Sequence, residues 1–191
     1  MRPLLVLLTA ALIALSTGAS AQNPPRGGDH GGLRDLPPPP MRRAPRPADD
    51  PVAMIPDGDR EMKAAVAEAR RTLPLFWSMY ETDREMRAAA KLKVGFKTPD
   101  GGREHMWLHD IRRVNGVITG VLENVPDAPM SIRKGDTVTI DAVEISDWGY
   151  ARGGRLYGNF TTRAMLKHLD PGIVEQLRAL LSDRPLEGSE V

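Results

Sequence analysis

The stretch Glu104–Asn124, EHMWLHDIRRVNGVITGVLEN, decides the fold. Asn115-Gly116 separates two runs rich in apolar and β-branched residues. Asn-Gly is the strongest short-range hairpin signal, because both central residues of a type I′ turn need φ > 0. With those two residues as the loop, Val114 faces Val117, Ile111 faces Gly120 and His109 faces Leu122. One face then carries Trp107, His109, Ile111, Ile118 and Leu122, the pattern of a core face. The other carries Leu108, Asp110, Arg112, Thr119, Val121 and Glu123, a half-wet pattern.

Strand signals continue on both sides of this hairpin. In Lys91–Lys97, KLKVGFK, lysines alternate with Leu92 and Val94, which predicts a half-buried strand with its lysines in water, suited to a sheet edge. Thr98-Pro99-Asp100-Gly101-Gly102 is a turn. After the two prolines of Val125–Pro129 and a turn at Lys134-Gly135-Asp136, Thr137–Val143 alternates again. Ile145–Tyr150 and Leu156–Gly158 follow, separated by Arg152-Gly153-Gly154-Arg155.

Helices flank the strands. Asp59 is a candidate N-cap, and Met62, Ala65, Val66, Ala69 and Leu73 recur at helical spacing. Pro74 is expected to end that helix near Thr72 and to open a short second turn carrying Leu75, Phe76, Trp77 and Tyr80. Thr161 is a candidate cap for a helix running through Arg163, Met165 and Leu166. Asp170-Pro171 starts another, with Ile173, Val174, Leu177, Leu180 and Leu181 as its apolar stripe. The fold class is α+β: an antiparallel, strongly curved sheet of about five strands, with one helix before it and helices after it.

Of the 191 residues, Met1–Ala21 has the form of a secretory signal peptide: Arg2, an apolar run from Leu4 to Leu15, and a small-residue site at Ala19-Ser20-Ala21. The run is shorter than the roughly 20 residues a membrane span needs. Cleavage after Ala21 places the mature protein in the periplasm or outside the cell, with no membrane span. Residues 22–57 are a Pro-, Gly- and Arg-rich linker, with a polyproline II candidate at Pro37–Pro40. The α+β domain is expected over 58–184 and a frayed tail over 185–191. The chain has no cysteine, so disulfides contribute nothing and a single hydrophobic core must hold the domain. Losing Arg2 brings the 26 basic residues down to match the 25 acidic ones, which argues against nucleic acid as a partner.

Several pieces together resemble the YegJ-like bacterial family, a domain of unknown function (DUF2314): ARRTLPLFW (69–77), EHMW (104–107), GVLENVP (120–126), GDTVTI (135–140), ISDWGY (145–150) and GNFTTR (158–163). They occur in the family's order over roughly Lys63–Leu169. The resemblance implies a small α+β domain and brings no established activity, cofactor or catalytic set.

The chemistry-bearing residues are few. Glu104, His105, His109 and Asp110 form EHxxxHD, which on a helix would place two histidines on one metal-binding face. On a strand, His105 and His109 share a face but lie about 13 Å apart at roughly 3.3 Å per residue, too far for one ion. They are weak metal candidates, with Asp147 or His168 as further ligands, and no cofactor is expected. No nucleophile motif or phosphate loop is present. The constellation of most interest is a binding groove lined by Trp107, Trp148 and Tyr157, with Asp147 and Arg163 as polar anchors; an ion pair that fixes the fold is the alternative for Asp147 and Arg163. The expected protein is a monomeric, exported, non-enzymatic binding or accessory domain, with an inhibitor or immunity role as one variant and a protein or peptide as partner. The competing expectation is a small periplasmic hydrolase or metal-dependent enzyme using Glu104, His105, His109 or Asp147.

Overall fold

The structure, a computed structural model, describes residues 4–7, 52–55 and 59–187. Most of the expected signal peptide, almost all of the expected linker and the last four residues lie outside the described residues. Two four-residue strands, β1 (Leu4–Leu7) and β2 (Val52–Ile55), pair antiparallel, and β1 runs parallel to Glu104 and His105. The domain itself begins at Asp59. Its elements are α1 (Arg60–Thr82), α2 (Arg84–Ala89), β3 (Lys91–Lys97), β4 (Arg103–Val114), β5 (Val117–Leu122), β6 (Thr137–Ile140), a 3-10 turn at Ala142–Glu144, β7 (Ile145–Arg152), β8 (Arg155–Gly158), α3 (Phe160–Met165) and α4 (Pro171–Leu180). Six antiparallel strands lie in the order β6-β5-β4-β3-β7-β8, an open α+β sheet with helices at both ends of the chain.

The Asn-Gly turn is where the sequence places it, with Asn115 at φ 50 and Gly116 at φ 81 and Val114 paired with Val117. The register does not continue as expected. Asp110 sits at φ 48, and a bulge between His109 and Arg112 shifts the pairing, so that Leu108, not His109, faces Leu122. One extra residue exchanges the faces of everything before it. Ile111, Ile118 and Leu122 stay in the core, but Met106 and Leu108 join them there, while Trp107 and His109 turn to the opposite face.

Helix α1 does not stop at Thr72. It runs through Pro74, whose missing N–H leaves the Arg70 carbonyl without its helical donor. The turn beyond Pro74 buries Phe76 completely and Tyr80 almost so, and their rings pack with Trp77 and Trp148. That burial outweighs one lost hydrogen bond. Asp83 then ends α1 and caps α2 through Met86 N–H at 3.0 Å. The sheet is interior at β3, which lies between β4 and β7 rather than at an edge.

Two apolar clusters result. The main one joins α1, α2 and the sheet around Leu92, Met106, Leu108, Leu122, Ile145 and Trp148. A smaller one packs Met62 against Met165, Leu177 and Leu181.

Candidate functional site

Lys93 lies opposite Trp107 on β4 and opposite Asp147 on β7, so register alone puts the three on one face, away from Leu92 and Trp148. Lys93 and Asp147 are both fully buried. The ammonium donates to Thr161 Oγ1 at 3.3 Å and sits 5.3 Å from the Trp107 ring centroid. The Thr161 hydroxyl passes the interaction on, donating to Asp147 Oδ2 at 2.6 Å. Asp147 also accepts from the N–H groups of Trp148 (2.8 Å), Phe160 (3.1 Å) and Thr161 (2.8 Å). It therefore caps α3 from a neighbouring strand, while the preceding residue, Asn159, makes no side-chain cap. Burial pulls the Lys93 ammonium down to about 8 against the opposing field of Asp147. Burial also raises the Asp147 carboxyl, which its donors and Lys93 oppose.

A second bulge sits between Lys93 and Val94, with Asp147 and Ile145 as their partners, so Ser146 is the extra residue. Its hydroxyl donates to Lys93 O at 3.3 Å and lies 2.8 Å from His105 Nδ1. With the hydroxyl proton used on Lys93 O, the imidazole must carry its proton on Nδ1 and donate to Ser146. Burial, then the charges of Lys93, Arg103 and Arg70, push His105 down to about 4, so the ring is neutral at physiological pH.

Glu104 faces the other way, in register with Phe96. Its buried carboxylate accepts from Asp127 N–H at 2.9 Å and Ala128 N–H at 3.1 Å. Asn124 Oδ1 accepts from Trp107 N–H at 2.7 Å. These bonds pin the loop after β5 to β4. Between that loop and the β3–β4 turn lies a cleft of about 390 Å³, walled by Phe96–Pro99 on one side and Pro129–Ile132 on the other.

The five residues expected to line a groove are therefore dispersed. Trp107 and Asp147 share the Lys93 cluster and are buried. Trp148 faces α1, where its Nε1 donates to Ala69 O at 3.0 Å and to Thr72 Oγ1 at 3.1 Å. Tyr157 stacks on Tyr150 at 5.2 Å. Arg163 donates to Gly158 O and to Ser182 O, at 3.0 and 2.8 Å, and feels Asp147 only as a distant charge. The glycines beside Trp148 admit the protein's own chain: a Cβ on Gly158 would stand 2.3 Å from Trp148 O.

The histidines stay apart as strand spacing implies. His109, 3.1 Å from Asp110 Oδ2, is half-exposed, and His168 contacts Asp59 at 3.2 Å. Among the described residues no group of three or more His, Cys, Asp or Glu is placed to hold a metal ion. Glu104 and Asp147 lie on opposite sheet faces, so they do not flank a common substrate. Sequence reasoning missed Lys93, whose alternation with apolar residues resembles that of Lys91 and Lys97, and missed Ser146 because a bulge has no composition signal.

The model of the family described as an uncharacterized protein conserved in bacteria (DUF2314) matches residues 59–177. The uncharacterized protein YegJ of Escherichia coli K12 is 31% identical over 120 residues, covering 63% of this chain and 76% of that protein. A putative ankyrin repeat protein of Neisseria meningitidis serogroup B is 33% identical over 124 residues, 61% of this chain and 49% of that protein, so the chain spans about half the length of this relative. No solved structure gives a match. A family match that begins at the α1 cap and ends in α4 covers nearly the whole described domain, and on that ground the chain belongs to the DUF2314 family.

Proposed function

We propose that the protein is an exported, non-enzymatic binding module that takes an apolar side chain of a protein or peptide partner into the cleft between Phe96–Pro99 and Pro129–Ile132. The observation that carries this is the composition of the cleft. Its walls offer Phe96, Pro99, Pro129, Met130 and Ile132, and its lining includes no carboxylate and no imidazole. Of the four groups expected to move protons, Glu104, His105 and Asp147 are engaged by backbone or hydroxyl partners, and His109 sits beside Asp110. A pinned cleft of five apolar residues with Lys97, Thr98 and Ser131 among them suits recognition. The signal-like Met1–Ala21 segment supports a site of action in the periplasm.

A displayed library of random peptides, selected against the mature domain, tests the reading. The expected result is enrichment of peptides with an apolar anchor whose binding is lost in Ser131→Trp, a substitution at an exposed lining position, with the melting temperature unchanged. No enrichment, or equal binding by Ser131→Trp, overturns it. The export component is tested separately by fractionation and intact mass: a periplasmic chain starting at Gln22 supports it, and an unprocessed cytoplasmic chain refutes it.

A further inference from the structure

Strand β4 has two neighbours on the side away from β3. β5 pairs with its second half, from Leu108 to Val114, and β1 pairs with its start, Leu5 opposite Glu104 and Val6 opposite His105. Trp107 marks the change-over. Its carbonyl accepts the Glu123 N–H at 2.9 Å and its N–H donates to Asn124 Oδ1 at 2.7 Å, so both its main-chain groups point to this side. Alternation along the strand turns the main-chain groups of His105 the same way. Among the described residues, only β1 pairs with this part of the edge.

β1 lies within Met1–Ala21, the segment whose removal the export reading requires, and the step below rests on that reading. Cleavage after Ala21 takes Leu4–Leu7 away and bares two edges at once: that of β4 at His105, and that of β2, whose partner among the described residues is β1. Bared main-chain groups invite another strand. Register names the strand. Leu5 stands between Glu104 and Met54, and Val6 between His105 and Ala53. Val52–Ile55, VAMI, is thus level with the vacated edge and needs no slide, only a step inward of one strand spacing, about 4.8 Å. In a parallel pair a residue bonds to the neighbours of its partner, so His105 uses the groups of Leu5 and Leu7 and leaves those of Val6 for Ala53. The main-chain groups of Ala53 therefore already face inward and match those of His105. β2 would meet β4 antiparallel, the slightly more stable pairing. Residues 56–58 tether it to Asp59, at an effective concentration of roughly millimolar.

We infer that the start of β4 is a strand-acceptor edge, held by Leu4–Leu7 in the precursor and taken over by Val52–Ile55 in the processed chain, with Ala53 opposite His105 and Met54 opposite Glu104. Processing exchanges one strand for another and leaves this stretch of β4 paired. The Phe96–Ile132 cleft has no part in the exchange.

The test compares two purified proteins, the full chain and the chain starting at Gln22, by amide hydrogen exchange. It reads the strand exchange whatever cells do with the leader, whereas fractionation and intact mass decide the export reading. The His105 amide is expected to exchange slowly in both proteins. Ala53→Pro lies outside the domain, 59–187, and removes the N–H that His105 O accepts after the exchange. It should speed exchange at His105 roughly tenfold or more in the chain from Gln22, and by less than about twofold in the full chain, where β1 still holds the edge. Fast exchange at His105 in the unaltered chain from Gln22 overturns the inference, because the edge then stays bare. No acceleration by Ala53→Pro in that chain, or an equal acceleration in both, overturns it as well.

Discussion

Asp147 caps a helix it does not belong to: its Oδ2 accepts the Thr161 N–H at 2.8 Å from 14 positions away. The same oxygen takes the hydroxyl that Lys93 donates to, so one carboxylate closes α3 and compensates a fully buried ammonium. Removing one partner of a buried ionic arrangement leaves the other charged and unsolvated. Asp147→Ala is therefore expected to lose on the order of 3–5 kcal/mol. Lys93→Met leaves Asp147 with three N–H groups and the Thr161 hydroxyl still donating to it, so it is expected to lose far less. Urea unfolding of both single variants and the double gives the coupling; strictly additive losses would contradict a shared cluster.

How far this was legible in the sequence depends on the bulges. Hydrophobic period and turn chemistry gave the elements, the Asn115-Gly116 hairpin and the α+β class. They could not place Ser146 or Asp110 as extra residues: serine is unremarkable in a strand, and Asp110, though tolerant of positive φ, sits in an alternation that also reads straight through it. Without the bulges, Trp107 reads as core and Lys93 as a wet-face lysine. The α1 helix was cut short for a related reason: Pro74 is a local signal, whereas the burial of Phe76 and Tyr80 that overrides it is tertiary.

His105 gives a pH signature. Its ring is held near 4 in the folded chain, against an ordinary value of 6.5. Between those values the unfolded chain binds the proton and the native chain does not, so stability rises with pH across the window. It is complete above about 6.5 and falls progressively as pH drops towards 4, by about 3 kcal/mol in all. His105→Gln should flatten that part of the stability profile. An unchanged slope between pH 4 and 6.5 would show that the ring titrates normally.

Glu104 acts on the cleft through backbone. Glu104→Gln replaces one acceptor oxygen by a donor that faces an N–H group, at about 1–3 kcal/mol. Amide exchange should accelerate at Asp127 and Ala128 well before the core strands respond. Protection that persists at both amides would mean that other contacts fix the loop.

Gly158 and Gly154 separate strain from contact. Both have positive φ, +66 and +74. A Cβ on Gly154 meets nothing within 4 Å, so Gly154→Ala should cost only the conformational strain, about 1–2 kcal/mol. On Gly158 the same atom would press on the Trp148 carbonyl, which is backbone and cannot swing away. Gly158→Ala is expected to cost at least on the order of 3 kcal/mol. Similar thermal shifts for the two variants would mean that β7 and β8 can part without penalty.

Asp110 is the extra residue of the β4 bulge. At φ 48 it occupies the left-handed region, where Asp, Asn and Gly are tolerated and β-branched residues are strained. Asp110→Asn should be close to neutral, and Asp110→Val should cost about 1–2 kcal/mol from the backbone alone. Deleting Asp110 tests the bulge itself. Without the extra residue Ile111 falls opposite Gly120, His109 stays opposite Val121 and Leu108 stays opposite Leu122, so Met106 and Leu108 keep their core positions and Trp107 keeps its place beside Lys93. The deletion should therefore leave a cooperatively melting domain, at a cost of no more than about 3 kcal/mol. Loss of the cooperative melt would show that the bulge is needed for more than the register it sets.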